Sequence, residues 1–236
     1  MVVMSIAQNL STIHQAINQA AKAAGREPEA VSLLAVSKTF GPDVVITAAD
    51  AGQTAFGENY VQEAIDKIAA VQSLRPDLHL EWHFIGPIQS NKTRNIAEHF
   101  DWVHAIDREK IAQRLSDQRP ATLAPLYVCL QVNVSGEASK SGVAPEDLLP
   151  LAQAVAAMPN LKLRGLMAIP EPAENIAQQR QPFAVMRKLQ QQLHAAGIIT
   201  DTLSMGMSAD MAAAIAEGAT IVRIGSAIFG KRDYAN

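Results

Sequence analysis

Eight short apolar runs, each followed by a helix-patterned stretch, predict an α/β fold: a (β/α)8 TIM barrel preceded by an N-terminal helix. Three observations carry the prediction. The alternation is strict, which implies parallel strands with the helices outside them. The repeats from Ser32 to Thr220 recur about every 27 residues, the spacing of a compact barrel. The turn after the first run, "SKTFGP", has no G-x-G-x-x-G, the glycine pattern that a doubly wound open sheet carries at that point.

The elements follow in order. Ile6, Leu10, Ile13 and Ile17 step by threes and fours, so residues 1–25 read as an amphipathic helix that Gly25 caps and Pro28 stops. The barrel then spans 32–230. "SLLAVS" is the first strand and "DVVITAADAG" its helix; "TAFGEN" is the second, followed by "VQEAIDKIAAVQ" with Val61, Ala64, Ile65, Ile68 and Val71 on one face. "LEWHFIG" and "KTRNIAEHF" form the third repeat, "WVHAI" and "REKIAQRLSDQ" the fourth, "LYVCLQVNV" and "EDLLPLAQAVAAM" the fifth. "LKLRGLMAI" precedes a long helix over 174–196 that Gly197 ends, and "TLSMGM" precedes "ADMAAAIAEG". "TIVRIG" is the last strand, and "AIFG" closes the barrel. No Ser/Gly linker or low-complexity tract interrupts the chain, so residues 1–236 read as one domain.

The totals exclude several classes of function. The chain has 236 residues, 48% hydrophobic and 18% charged, with a net charge of −3 and acids and bases intermixed, so there is no basic face for nucleic acid. No apolar run reaches the roughly 20 residues of a membrane span. The start, "MVVMSIAQNL", is not a secretory signal, and the single cysteine, Cys129, sits in an apolar run; both point to the cytoplasm. His14, His79, His99 and His194 show no metal-ligand spacing, and no metal site is expected.

Barrels of this type act at the C-terminal ends of their strands. The first strand delivers Lys38 there, the second Glu58 and Asn59, the third His83 and Gly86, the fourth His104 and Asp107. The fifth delivers Asn133 and Ser135, the sixth Met167, the seventh Ser204, Met205 and Gly206, and the eighth Arg223, Gly225 and Ser226. Strand ends turn polar wherever they meet solvent, which accounts for much of this set. It accounts less well for Lys38 and Arg223, whose neighbours are strongly apolar. "SMGMSAD" and "RIGSAIFG" have the composition of a phosphate cradle: free amides, hydroxyls, a helix start at Ser208, and glycines that allow close approach. A closed barrel sets that cradle beside Lys38. An amine next to an anion site suits a phosphorylated aldehyde or ketone held as a Schiff base, once a desolvated setting has helped the lysine lose its proton. Pyridoxal 5′-phosphate is the commonest such ligand.

Taken together, "LLAVSKT", "FGENYVQEAIDK", "EWHFIGPIQSNK", "SKSG", "LRGLMAI" and "LSMGMSADMAAAIAEGATIVRIGSAIFG" resemble the pyridoxal phosphate homeostasis protein family, single barrels like the N-terminal domain of alanine racemase. The motifs run from Leu33 to Gly230. Two departures are small: "TFGPDVV" stands where a lysine-proline pair is common after the lysine, and Ser226 where threonine is frequent. The resemblance implies that Lys38 carries the cofactor and Arg223 faces its pyridine nitrogen. It implies that Ser204, Gly225 and Ser226 hold the phosphate with backbone help, that Met205 is a cofactor-binding residue, that Asn59 and Met167 line the cofactor, and that His83 lies near the mouth.

An arginine does not yield its proton to the ring nitrogen, so the ring becomes a poor electron sink. Alanine racemase works with a second base, a tyrosine from outside the barrel. Neither Tyr60, Tyr127 nor Tyr234 is an obvious counterpart. The expectation is a monomeric pyridoxal phosphate carrier with little amino-acid turnover, serving pyridoxal phosphate-dependent apo-enzymes. The alternatives are an amino-acid racemase or related enzyme, and a Schiff-base aldolase acting on a sugar phosphate. The "SGEASKSG" loop, with Ser139, Lys140 and Ser141, reads as a solvated lid element.

Overall fold

The computed structural model describes residues 5–135 and 141–230. The Lys140 loop and Tyr234 lie outside them. Eight parallel strands close in sequence order into a barrel: β1 (Ser32–Val36), β2 (Ala55–Glu58), β3 (Glu81–Phe84), β4 (Trp102–Ile106), β5 (Leu126–Gln131), β6 (Leu161–Met167), β7 (Thr202–Ser204) and β8 (Ile221–Ile224). Outside run α1 (Ile6–Ala23), α2 (Pro42–Asp50), α3 (Val61–Leu74), α4 (Thr93–His99), α5 (Glu109–Gln118), α6 (Leu148–Ala156), α7 (Ile176–Ala195), α8 (Met211–Ala216) and the short turn α9 (Ser226–Phe229). The expected alternation is therefore present throughout. One boundary differs in a way that matters. The helix expected from Ser208 begins at Met211, because Asp210 turns its carboxylate back to accept the Met207 amide at 2.6 Å and holds the preceding residues in a turn.

The helix ends follow backbone chemistry. Ser5 and Gln8 form a reciprocal capping box at the start of α1. At its end Gly25 takes φ +67°, and the Arg26 amide reaches back to the Ala21 carbonyl, a closure that a residue with a Cβ resists.

Closure places the last repeat against the first. β1 pairs with β8 in the register Ser32↔Ile221, Leu33↔Val222, Leu34↔Arg223 and Ala35↔Ile224. Helix α1 braces this seam from outside: Asn9 donates to the Ile228 carbonyl, and Arg26 to the Ile215 and Ala219 carbonyls, each at 2.8 Å. The leading segment thus steadies the end of α8 and the turn that follows β8.

Most apolar burial lies between sheet and helices, where Phe56, Phe84, Phe100, Ile111, Leu115 and Phe183 are fully enclosed. The barrel interior is different. His104 of β4 meets Ser204 of β7, and these strands are not neighbours in the sheet, so the contact crosses the barrel. A barrel interior is ordinarily packed with branched apolar side chains. Here part of it is a polar ladder.

On β6, a Cβ at Gly165 would run into the carbonyl oxygen of Thr202 on β7. Backbone cannot yield there as a flexible side chain would. Gly165→Ala is therefore expected to lose about 1–3 kcal/mol of unfolding free energy in urea titrations, or to fail to fold.

Candidate functional site: the C-terminal mouth of the barrel

Lys38 stands two residues beyond β1 and is half-buried, while Ser37 before it is fully buried. The chain then turns sharply, with Thr39 at φ +70°, a left-handed conformation that a β-branched residue adopts only under constraint. The constraint is visible. The Thr39 amide donates to Glu63 Oε1 at 2.6 Å, and Lys67 donates to that same oxygen at 3.1 Å, to the Ser37 carbonyl at 2.8 Å and to Glu58 Oε1 at 2.6 Å. Ser37 Oγ donates to Glu58 Oε1 at 2.6 Å. Lys67 and Glu58 are both buried, whereas Glu63, which takes the Thr39 amide, is partly exposed. Burial pushes the Glu58 carboxyl up, against the pull of Lys67. The clamp fixes the backbone on both sides of Lys38.

Sequence reasoning missed Lys67 and Glu63. A signal existed: Lys67 falls in the buried row Ala64, Lys67, Val71 of α3, an odd place for a charge, and Glu63 stands one turn before it.

The loop after β8 faces Lys38. A Cβ at Gly225 would lie 3.1 Å from the Val36 carbonyl oxygen, at the end of the strand that leads to Lys38. Phe40 and Phe229 join the two loops, their ring centroids 5.3 Å apart. Ser226 opens α9, where the first amides of the turn have no acceptor within the helix. Asn59 ends the second repeat. A Cβ at Gly86 would lie 2.8 Å from Asn59 Cα, so only glycine permits that approach. Asn59 Oδ1 is buried and has no hydrogen-bond partner in the protein, an acceptor that a bound molecule would satisfy. Lys38, Asn59, Gly225 and Ser226 thus all stand at the C-terminal ends of β1, β2 and β8.

Arg223 lies just below them, fully buried, donating from one Nη to Ser204 Oγ at 2.7 Å and from the other to the Ala168 carbonyl at 2.9 Å. Burial lowers its pKa to about 10, which still leaves it charged near neutrality. Met167, at the end of β6, is fully buried next to that Ala168.

Three expectations change. Ser204 does not offer its hydroxyl to the phosphate loops: the group points into the barrel, bonded to Arg223 and to His104 Nδ1 at 2.7 Å. It holds the arginine instead. Met205 is fully buried in the apolar core, and its amide is spent on the Ile221 carbonyl. His83 is not near the upper mouth. Side chains alternate along β3, which sends Trp82 and Phe84 toward the helices and Glu81 and His83 inward. His83 stacks on Trp102, the first residue of β4, and its Nε2 meets Glu81, the first residue of β3, at 2.8 Å. It therefore faces the N-terminal end of the barrel. His104 Nε2 then meets His83 Nδ1 at 2.8 Å. Burial lowers the pKa of both histidines, which favours their neutral forms.

Burial also pushes the Cys129 thiol up to about 12, consistent with an inert core residue. Among the described residues no group of three or more His, Cys, Asp or Glu could hold a metal, and no helix is long and apolar enough to cross a membrane.

Lys67→Met leaves Glu58 buried without its cation. A loss of about 3–5 kcal/mol of unfolding free energy is expected, read from urea denaturation. The histidines make a second prediction. Their folded pKa values lie below the unfolded value of about 6.5, so the unfolded chain binds more protons and stability falls as pH drops below that value. His104→Gln should reduce proton uptake on unfolding near pH 5.5 by about one proton, flattening the stability–pH slope by about 1.4 kcal/mol per pH unit.

Comparisons with known proteins place the chain in a family. Residues 8–233 match the family described as Alanine racemase, N-terminal domain. The Pyridoxal phosphate homeostasis protein of Pseudomonas aeruginosa is 62% identical over 230 residues, covering 98% of this chain and 97% of that one. That of Escherichia coli K12 is 56% identical over 235 residues, covering 98% of each. Among solved structures, PipY of Synechococcus elongatus, determined with PLP bound, superposes with a TM-score of 0.82 at 35% identity, covering 96% of this chain and 100% of that one. Alanine racemase of Corynebacterium glutamicum shares the fold at 18% identity and a TM-score of 0.70, with 98% of this chain matched to 62% of the racemase. The chain therefore belongs to the alanine racemase N-terminal-domain family and, within it, to the pyridoxal phosphate homeostasis proteins.

Proposed function

We propose that the upper mouth binds pyridoxal 5′-phosphate on Lys38 and that the protein serves the cell's supply of this cofactor, with little or no amino-acid turnover. The observation that carries the reading is the meeting of the Lys38 loop with the Gly225–Ser226 turn above a buried, charged Arg223. The names of the close relatives, and the PLP-bound structure of PipY, support it.

When bound, the cofactor supplies an aldehyde that condenses with a primary amine, releasing water. Lys38 is the amine held at the mouth, and the Thr39 turn with the Glu63–Lys67 clamp orients it. The amides and hydroxyl at Gly225 and Ser226 suit a phosphate dianion, and the uncompensated Asn59 Oδ1 takes a donor. Two of Arg223's five N–H donors are used by Ser204 and Ala168, leaving others to face the ring nitrogen.

Low turnover follows from the same arginine. It stays charged near neutrality and keeps its proton, so a ring nitrogen against it stays unprotonated and withdraws electrons poorly. Among the described residues the tyrosines offer little as a second base: Tyr60 is exposed at the start of α3, and Tyr127 lies at the lower end of β5 beneath Arg164. Apo-enzymes that need the cofactor are the partners this reading implies. Cytoplasmic residence and a monomeric state belong to it as well.

Purified protein mixed with pyridoxal phosphate should show a visible absorption band and, after borohydride reduction, a mass adduct on the Lys38 peptide. Lys38→Ala should lose both. A protein that stays colourless and unlabelled overturns the reading in favour of a cofactor-free Schiff-base enzyme. Deuterium exchange at the α-carbon of alanine should proceed far below enzyme-like rates; rapid exchange would make the protein a racemase-like enzyme.

A further inference from the structure

The barrel interior holds an unbroken hydrogen-bonded line from Arg223 to the opposite mouth. Arg223 Nη1 meets Ser204 Oγ at 2.7 Å, Ser204 Oγ meets His104 Nδ1 at 2.7 Å, His104 Nε2 meets His83 Nδ1 at 2.8 Å, and His83 Nε2 meets Glu81 Oε1 at 2.8 Å. Ser204, His104, His83 and Arg223 are all buried, whereas the Glu81 side chain is 48% exposed. It lines a cavity of about 270 Å³ at the N-terminal ends of the strands, together with His83, Trp102, Arg164 and Asp201.

The ends of the line fix its direction. A guanidinium only donates, and an ionised carboxylate only accepts. With both rings neutral, each imidazole has one proton to give and one lone pair to offer, and the serine hydroxyl has one proton and two lone pairs. The Arg223 proton goes to Ser204, whose hydroxyl proton goes to His104 Nδ1. His104 must then carry its proton on Nε2 and pass it to His83 Nδ1, which leaves His83 Nε2–H for Glu81. Between neutral rings one assignment satisfies all four bonds, with both imidazoles in the Nε2–H form.

We propose that Glu81 is a remote positioning residue of the cofactor site, acting on Arg223 through His83, His104 and Ser204. The inference rests on the cofactor reading above. The carboxylate anchors a row of aligned dipoles whose far end holds the guanidinium against Ala168. Without the anchor, both imidazoles and the serine hydroxyl are free to reverse, and Arg223 then shares the Ser204 oxygen with a donating His104. The lower cavity then becomes an input to the upper mouth, reached by solvent protons from the other side of the barrel. Other titratable groups face the line: Arg164 acts on Glu81, Asp101 on His83, and Asp210 and the neutral Cys129 thiol stand near Arg223. None of these interrupts the four bonds. Burial disfavours charge on either histidine, and the His83 hydrogen bond holds the Glu81 carboxyl below its usual range, which keeps the end groups in the assigned states near neutrality.

Two measurements test this. Imidazole nitrogen NMR of the cofactor-free protein at neutral pH should show His83 and His104 both neutral with the proton on Nε2; a proton on Nδ1 of either ring overturns the proposal. Titration of pyridoxal phosphate into Glu81→Leu should show a dissociation constant raised by about 2- to 30-fold and a displaced pH titration of the visible band. Glu81→Gln, which retains an acceptor oxygen without the charge, should fall between it and the parent. Lys162→Ala, an exposed lower-face change beside Tyr127 and off the line, should alter neither. Parental affinity and pH profile in Glu81→Leu overturn the proposal, and Glu81→Gln decides in the same way if the leucine variant does not fold. If the parent protein takes up no cofactor, it is the cofactor reading that fails, and the histidine nitrogens alone decide whether the line exists.

Discussion

Everything at the upper mouth depends on how β8 closes onto β1. The register Leu34↔Arg223 pairs the arginine with a residue four positions before Lys38, so its side chain enters the barrel below the point where the first strand releases the lysine. The same register carries Gly225 to the Val36 carbonyl, so an amine-bearing loop and an anion-suited turn share one edge. Parallel strands admit no small adjustment here. A slip of one residue would reverse the facing of every side chain on β8, sending Arg223 among the helices. Helix α1 and the Phe40–Phe229 contact hold the seam closed from outside.

A buried arginine is the second constraint. Removing a guanidinium from water is costly unless its hydrogen bonds are replaced. Here the replacement is asymmetric: a backbone carbonyl on one side, and on the other a serine bonded in turn to His104, which meets His83. A carboxylate at the far end of that line supplies the opposite charge without standing beside the arginine. A carboxylate in direct contact would neutralise the guanidinium beneath the mouth. The distant one leaves the positive field at the mouth largely intact.

The Lys38 loop is held by different means. Its left-handed Thr39 is maintained by a buried ion-pair cluster from α3 and β2, a rigid support placed outside the barrel. Strain of this kind persists only where the surroundings over-determine it, and three of the clamp's bonds converge on Glu58 and Glu63 within 2.6 Å. Two independent scaffolds thus converge on one small volume: a clamp for the amine, and an internal line for the arginine.

The architecture was legible in the chain because hydrophobic periodicity and helix-stop residues are local signals. Ile6 to Ile17, Gly25, Gly197 and the repeat spacing specify each element without reference to its neighbours. Lys38, Asn59, Gly225 and Ser226 were legible as well, since strand ends in a closed barrel share a rim whatever the details. What escaped was facing and partnership. His83 looks like any strand-end histidine until alternation along β3 turns it to the lower mouth, and Ser204 looks like a phosphate ligand until its hydroxyl meets Arg223. Lys67 reads as a surface lysine until α3 buries it against Glu58. By itself the sequence determined the order of elements and the residues on the rim, because those follow from local spacing. Only the tertiary structure decided which polar groups bond across the barrel, because residues separated by 21, 100 and 19 positions become partners only when the sheet has closed.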